Sequence, residues 1–488
     1  MEWIFLGQTN IINMKFFKRI GILLALVFSV SLQAQLKLPA LFSDNMVLQQ
    51  NIQAPIWGWG DPNTEVQLTT SWDNKTYSVN SNSKGEWQLK VSSPSAGGPY
   101  SITLVQKNQK LLVKNVLIGE VWLCSGQSNM EMPLKGFPGQ PVAEGNESIV
   151  RSTNDQIRLI TIPRDSKVKP NKDFEGQWQQ ASPQVTSEFS ATAWYFGDLL
   201  QEALGVPVGL VHVSYGGSNV EAWMSAEMLE DFDAIEIPKK QKDIGEPNRT
   251  ATALYNGMLA PVIGYGIKGA IWYQGESNYD RPFQYLDLFK TMVSQWRNQW
   301  EQDEFPFYFA QIAPFDYSVF TPDTLVKKYN SAYIRESQLK ASHEIPNTGM
   351  AVLLDIGEKD NIHPKNKKVG GERLAYLALA KTYGIQGFEF QSPEFNGMEL
   401  KGSSLILSFN NVPNGIISKV ETIRGFEIAG EDQVFYPANV YLRRKSVILS
   451  SPRVEKPVAV RYLFKDYVEA EIFSTGGLPL SSFRTDNW

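Results

Sequence analysis

A chain of 488 residues is too long for one core, so two or three domains are expected. Its 42% hydrophobic and 20% charged residues are those of an ordinary globular protein and argue against disorder. A net charge of −5, from 46 basic and 51 acidic residues with no basic block, argues against a nucleic-acid partner, because neutralising phosphates needs clustered Lys and Arg.

In chain order, residues 1–13 read as an upstream extension before a more natural start at Met14. Met14-Lys15-Phe16-Phe17-Lys18-Arg19 is short and basic, Ile20 to Leu32 is apolar, and Gln33-Ala34-Gln35 follows. That pattern predicts a secretory signal cleaved after Ala34, and hence a secreted or periplasmic protein. The apolar run falls short of the about 20 residues that span a bilayer, so no stable membrane insertion is expected after cleavage. Cys124 is the single cysteine, which excludes internal disulfides and thiolate metal clusters and suits a bacterial periplasm or exterior.

Residues 36–114 show alternating runs such as Val66-Gln67-Leu68-Thr69 and Trp87-Gln88-Leu89-Lys90-Val91, separated by turn signals such as Asp61-Pro62-Asn63. They predict an N-terminal β-rich domain of sandwich type. From 115 to 387 the pattern changes. Apolar strands are predicted at Val116 to Cys124, Ile157 to Ile162, Val208 to Val213, Ile267 to Tyr273, Phe307 to Ile312 and Met350 to Leu354. Helices are predicted around Ala193 to Ala203, closed by Gly205, along a face of Tyr285, Phe289, Met292, Trp296 and Trp300, and over Val369 to Tyr383. Strands alternating with helices, each strand almost continuously apolar, imply an α/β domain with a mostly parallel sheet covered on both faces. Ligands of such sheets bind beyond the carboxyl ends of the strands. Alternation returns in 388–488, for example at Val458-Ala459-Val460-Arg461-Tyr462, and predicts a C-terminal β-rich region.

The candidate chemistry lies at the strand ends. The first strand runs into Ser125-Gly126-Gln127-Ser128-Asn129-Met130, where Gly126 permits a sharp turn and Ser128 emerges at a strand-to-helix junction. Taken alone, a Gly-x-Ser is as readily a helix cap. A serine nucleophile needs a base, and only His212, His343 and His363 are present. His212 falls inside an apolar strand and reads as a hydrogen-bonded core residue; His343 ends a helical stretch and reads as solvated. His363 follows the last strand, with Asp360 three residues earlier placed to turn back and orient the imidazole. Ser214-Tyr215-Gly216-Gly217-Ser218-Asn219 and Gln274-Gly275-Glu276-Ser277-Asn278 end two further strands and offer backbone amides and a side-chain amide to an oxyanion. No cofactor motif and no zinc-type ligand spacing occurs.

These segments, with Glu221-Ala222-Trp223, Trp272-Tyr273 before the Gln-Gly-Glu block, and Asp-x-x-His, resemble the SGNH hydrolases, specifically the sialate O-acetylesterase family. The resemblance extends to Phe42-Ser43-Asp44-Asn45-Met46-Val47-Leu48-Gln49 and to Gly477-Leu478-Pro479 with Ser482-Phe483-Arg484-Thr485-Asp486, nearly the whole mature chain. It implies a three-layer SGNH-type domain in which Ser128 is the nucleophile, Asp360 and His363 complete the triad, and Ser128, Gly217 and Asn278 form the oxyanion hole. Gly216 is the alternative to Gly217. Gln127 stands where Asp is common in the superfamily, and Glu276 is a reserve acid, since related carbohydrate acetylesterases share its segment. The implied activity is removal of acetyl esters from sialic acid, with an acetylated sugar as partner. Another glycan ester, on xylan or pectin side chains, is the alternative within the class. A catalytically silent carbohydrate-binding protein is the alternative outside it. The 13 Trp suit sugar stacking as well as cores.

Overall fold

The computed structural model describes residues 34–320 and 330–488; the expected upstream extension and signal sequence, apart from Ala34, lie outside the described residues. Six strands run parallel at the centre: β1 (Gln109–Gly126), β2 (Asn154–Thr161), β3 (Val208–Ser214), β4 (Gly269–Tyr273), β5 (Phe307–Ala310) and β6 (Thr348–Ala351). Their order is β6-β5-β4-β1-β3-β2, and an antiparallel edge strand, Gln179–Ala181, beside β2 makes the sheet mixed. The fold is therefore mixed α/β with further β-sheet regions on either side.

The alternation of side chains along each strand builds two cores. Trp122 and Cys124 of β1 face one, shared with Phe196 and Leu200 of helix Ala191–Leu204 and with Leu374 and Leu377 of helix Lys367–Leu377. Val121 and Leu123 face the other, shared with Tyr285, Phe289, Met292, Trp296 and Trp300 of helix Pro282–Trp300. Each large apolar side chain so buried contributes about 2 kcal/mol of transfer free energy.

Two features place the site. Ser214 of β3 and Tyr273 of β4 are both in register with Gly126 of β1, so the three strands end level. From β1 the chain goes to the outer β2, returns to β3 beside β1, and then continues through β4, β5 and β6 on the other side, so the connections leaving the adjacent strands β1 and β4 run opposite ways and their carboxyl ends are the place such sheets leave open for ligands.

The N-terminal half of β1 belongs to the first β-region, pairing with Gly97–Gln106 and Val47–Gln49. The strand runs on through the expected boundary near residue 115, where Asn115, at φ 54°, forms a bulge against Tyr100 and Ile102. The C-terminal region is antiparallel, with sheets that include Ser404–Asn410 and Ala459–Tyr462. It is tied to the centre by Arg335, a buried guanidinium that donates to the carbonyls of Lys465 and Asp466 and to Ser482 Oγ.

Candidate active site

Gly126 ends β1 at φ 141°, and a Cβ there would lie 2.1 Å from the Tyr273 carbonyl, so no side chain is accommodated. The Gln127 N–H donates to that same carbonyl at 2.9 Å, pinning the turn to the end of β4. The chain then enters the one-turn helix Ser128–Glu131, with Ser128 only 9% exposed. Gln127 Oε1 reaches back to the amides of Gly275 and Ser277.

The turn after β3 packs against this serine. A Cβ on Gly216 would lie 3.3 Å from Ser128 Cβ. The Gly216 N–H, however, donates to Glu131 Oε2 at 2.8 Å, and its carbonyl accepts from Asn248 Nδ2 at 2.7 Å. Glu131 is itself gripped by Arg164 through bonds of 2.6 and 2.7 Å, and the Arg164 guanidinium stacks 4.5 Å from the Tyr215 ring. Among the described residues the amides of Ser128 and Gly217 have no protein partner. Gly217 adopts φ 70°, the left-handed region that suits glycine. Asn278 is buried with Oδ1 accepting from Val220 N–H at 3.0 Å and Gln274 Nε2 at 2.7 Å. Its Nδ2 gives one hydrogen to Glu221 Oε2 at 3.0 Å and keeps a second.

His363 is half-buried on the loop after β6. Its Nδ1 lies 2.6 Å from Gln140 Oε1; a carboxamide oxygen only accepts, so Nδ1 carries the proton and the lone pair is on Nε2. The Phe137–Gln140 turn also sets the Phe137 ring edge-on to the imidazole, 5.5 Å between centroids. Burial, and then the nearby Lys367 charge, hold the imidazole down to about 4, so it stays neutral well below neutral pH.

The serine turn and the histidine loop are brought together by Asn129, whose Nδ2 donates to the Ile362 carbonyl at 3.1 Å. The same Nδ2 lies 2.6 Å from Glu276 Oε1. Glu276 is buried, its carboxyl raised above the usual range mainly by loss of solvent, and it makes no bond to His363. Asp360 is exposed and likewise makes no hydrogen bond to the ring, because Gln140 occupies the nitrogen it was expected to meet.

The other histidines are elsewhere. His212 is buried in β3 between Thr161 and Ser214, and His343 pairs with Glu394 on the surface. Among the described residues no cluster of three His, Cys, Asp or Glu could hold a metal ion, and no helix is long and apolar enough to cross a membrane. Gln140, Glu131 and Lys367 were not singled out from the sequence, and nothing local marks them: each acts on a partner distant along the chain.

Residues 118–379 match the model of the family described as carbohydrate esterase, sialic acid-specific acetylesterase. The sialate O-acetylesterase of Homo sapiens is 28% identical over 424 residues, 78% of each chain. That of Mus musculus is 27% identical over 94% of this chain and 96% of its own. The crystal structure of a carbohydrate acetylesterase from Xanthomonas citri superposes with a TM-score of 0.83 at 34% identity, covering 93% of this chain and all of the other.

Proposed function

This chain belongs to the sialic acid-specific acetylesterase family of carbohydrate esterases and is a carboxylic ester hydrolase; from that premise we propose that it removes O-acetyl groups from sialic acid through an acyl-enzyme on Ser128. Ser128 Oγ attacks the acetyl carbonyl while His363 Nε2 takes its proton. The oxyanion forms against the amides of Ser128 and Gly217 and the free hydrogen of Asn278 Nδ2. Collapse passes the proton from His363 to the departing sugar hydroxyl. Water then attacks the acetyl-serine with His363 again as base, releasing acetate.

Gln140 can fix the ring's tautomer but brings no charge to the imidazolium. That role is assigned to the Asp360 carboxylate, three residues away on the same loop, with the family pattern in support. Gly217 is preferred to Gly216 because the Gly216 amide is already committed to Glu131. An SGNH-type three-layer arrangement suits the two cores. Export with Met14 to Ala34 removed completes the proposal, and intact mass of the exported protein tests it.

The observation that carries the reading is a half-buried neutral imidazole, its Nδ1 proton fixed by Gln140, on a loop bonded through Asn129 to the turn bearing Ser128. Likeness to the Xanthomonas citri carbohydrate acetylesterase favours one second reading, an acetylester of another glycan. Purified protein and Ser128→Ala are assayed on p-nitrophenyl acetate, O-acetylated sialic acid and acetylated xylan. The proposal expects wild type to prefer the sialate and the variant to lose activity on all three. A folded, active alanine variant ends the serine mechanism, and a preference for xylan ends the substrate assignment.

A further inference from the structure

Beneath Ser128 and His363 lies a buried charged cluster that the reaction as written does not use. Lys367 opens helix Lys367–Leu377 and is 2% exposed. Its Nζ donates to Asn129 Oδ1 at 2.5 Å and to the Pro364 carbonyl at 2.9 Å. Asn129, next to the nucleophile, uses its other end on Glu276 and on the Ile362 carbonyl. The carbonyls at 362 and 364, on either side of His363, are thus held by two side chains that are themselves joined. An ammonium this deep is costly unless fully bonded, and a packing role alone is better met by Leu or Met.

We propose that Lys367 is a positioning residue for ester hydrolysis: through Asn129 and Pro364 it fixes the backbone on both sides of His363 against the Ser128 turn, and it turns its charge on the imidazole. The inference rests on the Ser128–His363 reading above. Lys367 is the charged group acting on His363, while Glu276 and Glu358 face Lys367. Burial lowers Lys367 to about 7 against the pull of those two carboxylates, so the site is charged up to neutral pH and loses its charge above it.

The test compares wild type with Lys367→Met and Lys367→Gln, using histidine-labelled protein. Only three imidazoles exist, and His363→Asn identifies the relevant NMR signal. Both variants lack the charge, so the His363 midpoint rises by about half a pH unit or more, a roughly threefold change in its ionisation constant. Lys367→Gln keeps donors for Asn129 and Pro364 and holds most of its kcat on p-nitrophenyl acetate. Lys367→Met loses at least about tenfold in kcat with KM little changed. Should the Met variant fail to fold by circular dichroism, the Gln variant decides. A folded variant whose His363 titrates as in wild type overturns the proposal. An inactive wild type ends the esterase reading and is told apart because the titration needs no turnover.

Discussion

His363 donates its Nδ1 proton to the Gln140 side-chain oxygen at 2.6 Å, which leaves Nε2 as the ring's basic nitrogen. A neutral carboxamide orients the imidazole without raising its basicity, consistent with a ring held down to about 4. Gln140→Ala should lower kcat on p-nitrophenyl acetate about tenfold with KM little changed, since the ring loses orientation and the substrate loses nothing. Gln140→Glu puts a carboxylate on Nδ1, which favours the imidazolium and raises its pKa. The acid limb of kcat/KM then moves to higher pH, and an unmoved limb counts against the contact being made in solution.

Two carboxylates compete for the role of charge partner, and their surroundings separate them. Asp360 is exposed and free to approach the imidazolium, whereas Glu276 Oε1 is committed to Asn129 at 2.6 Å. Asp360→Asn should therefore lower kcat by at least about a hundredfold, by removing the counter-charge to the imidazolium while Gln140 still fixes the tautomer. Glu276→Gln should keep kcat within about tenfold but lower the melting temperature, because it removes a buried counter-charge to Lys367. Steady-state kinetics beside thermal melts decide it, and a crippled Glu276→Gln next to a near-silent Asp360→Asn reverses the assignment.

Asn278 presents its amide under tight control, with Oδ1 held by Val220 and Gln274 and one hydrogen held by Glu221. Its remaining hydrogen is the side-chain donor assigned to the oxyanion. Asn278→Ala should cost about a hundredfold or more in kcat, with a smaller change in KM, because the donor acts on charge that develops in the transition state. Loss confined to KM would place Asn278 in substrate binding instead.

What the sequence could show was whatever is local. The helix face of Tyr285, Phe289, Met292, Trp296 and Trp300 was legible because five apolar residues at helical spacing have one solution, and the turn after β1 was legible because Gly126 and Ser128 adjoin their strand. Strand ends were less so. The last strand stops at Ala351 rather than Leu354, and the Val352 carbonyl beyond it goes to the Arg373 side chain. The last helix starts two residues before Val369, at Lys367, because Asn366 caps it by accepting from the Val369 amide. Gln140 and Lys367 were invisible for a different reason. The His363 that Gln140 holds and the Asn129 that Lys367 holds lie 223 and 238 residues away, and no spacing rule reaches that far.

His212 is 3% exposed in β3, edge-on to Phe189, with Thr161 and Ser214 at its two nitrogens. Burial pushes its pKa down from 6.5 to about 4. A depressed folded pKa means that the unfolded chain takes up a proton which the folded one refuses between about 6.5 and 4. Stability present above 6.5 is therefore lost as pH falls through that window. Lowering pH from 7.5 to 5 should cost about 2 kcal/mol through this one group. His363 has the same shift and adds in the same direction, so removing either alone leaves part of the slope. His212→Asn lacks the titrating group. It is expected to be less stable at pH 7.5, having lost packing against Phe189, yet to lose less than wild type on acidification. Urea unfolding of both proteins at pH 7.5 and 5 gives the comparison as a difference of differences, in which errors of extrapolation largely cancel. Equal acid losses in the two proteins would show that the His212 pKa is the same in the folded and unfolded chain, its two hydroxyl partners holding the charged ring as well as the neutral one.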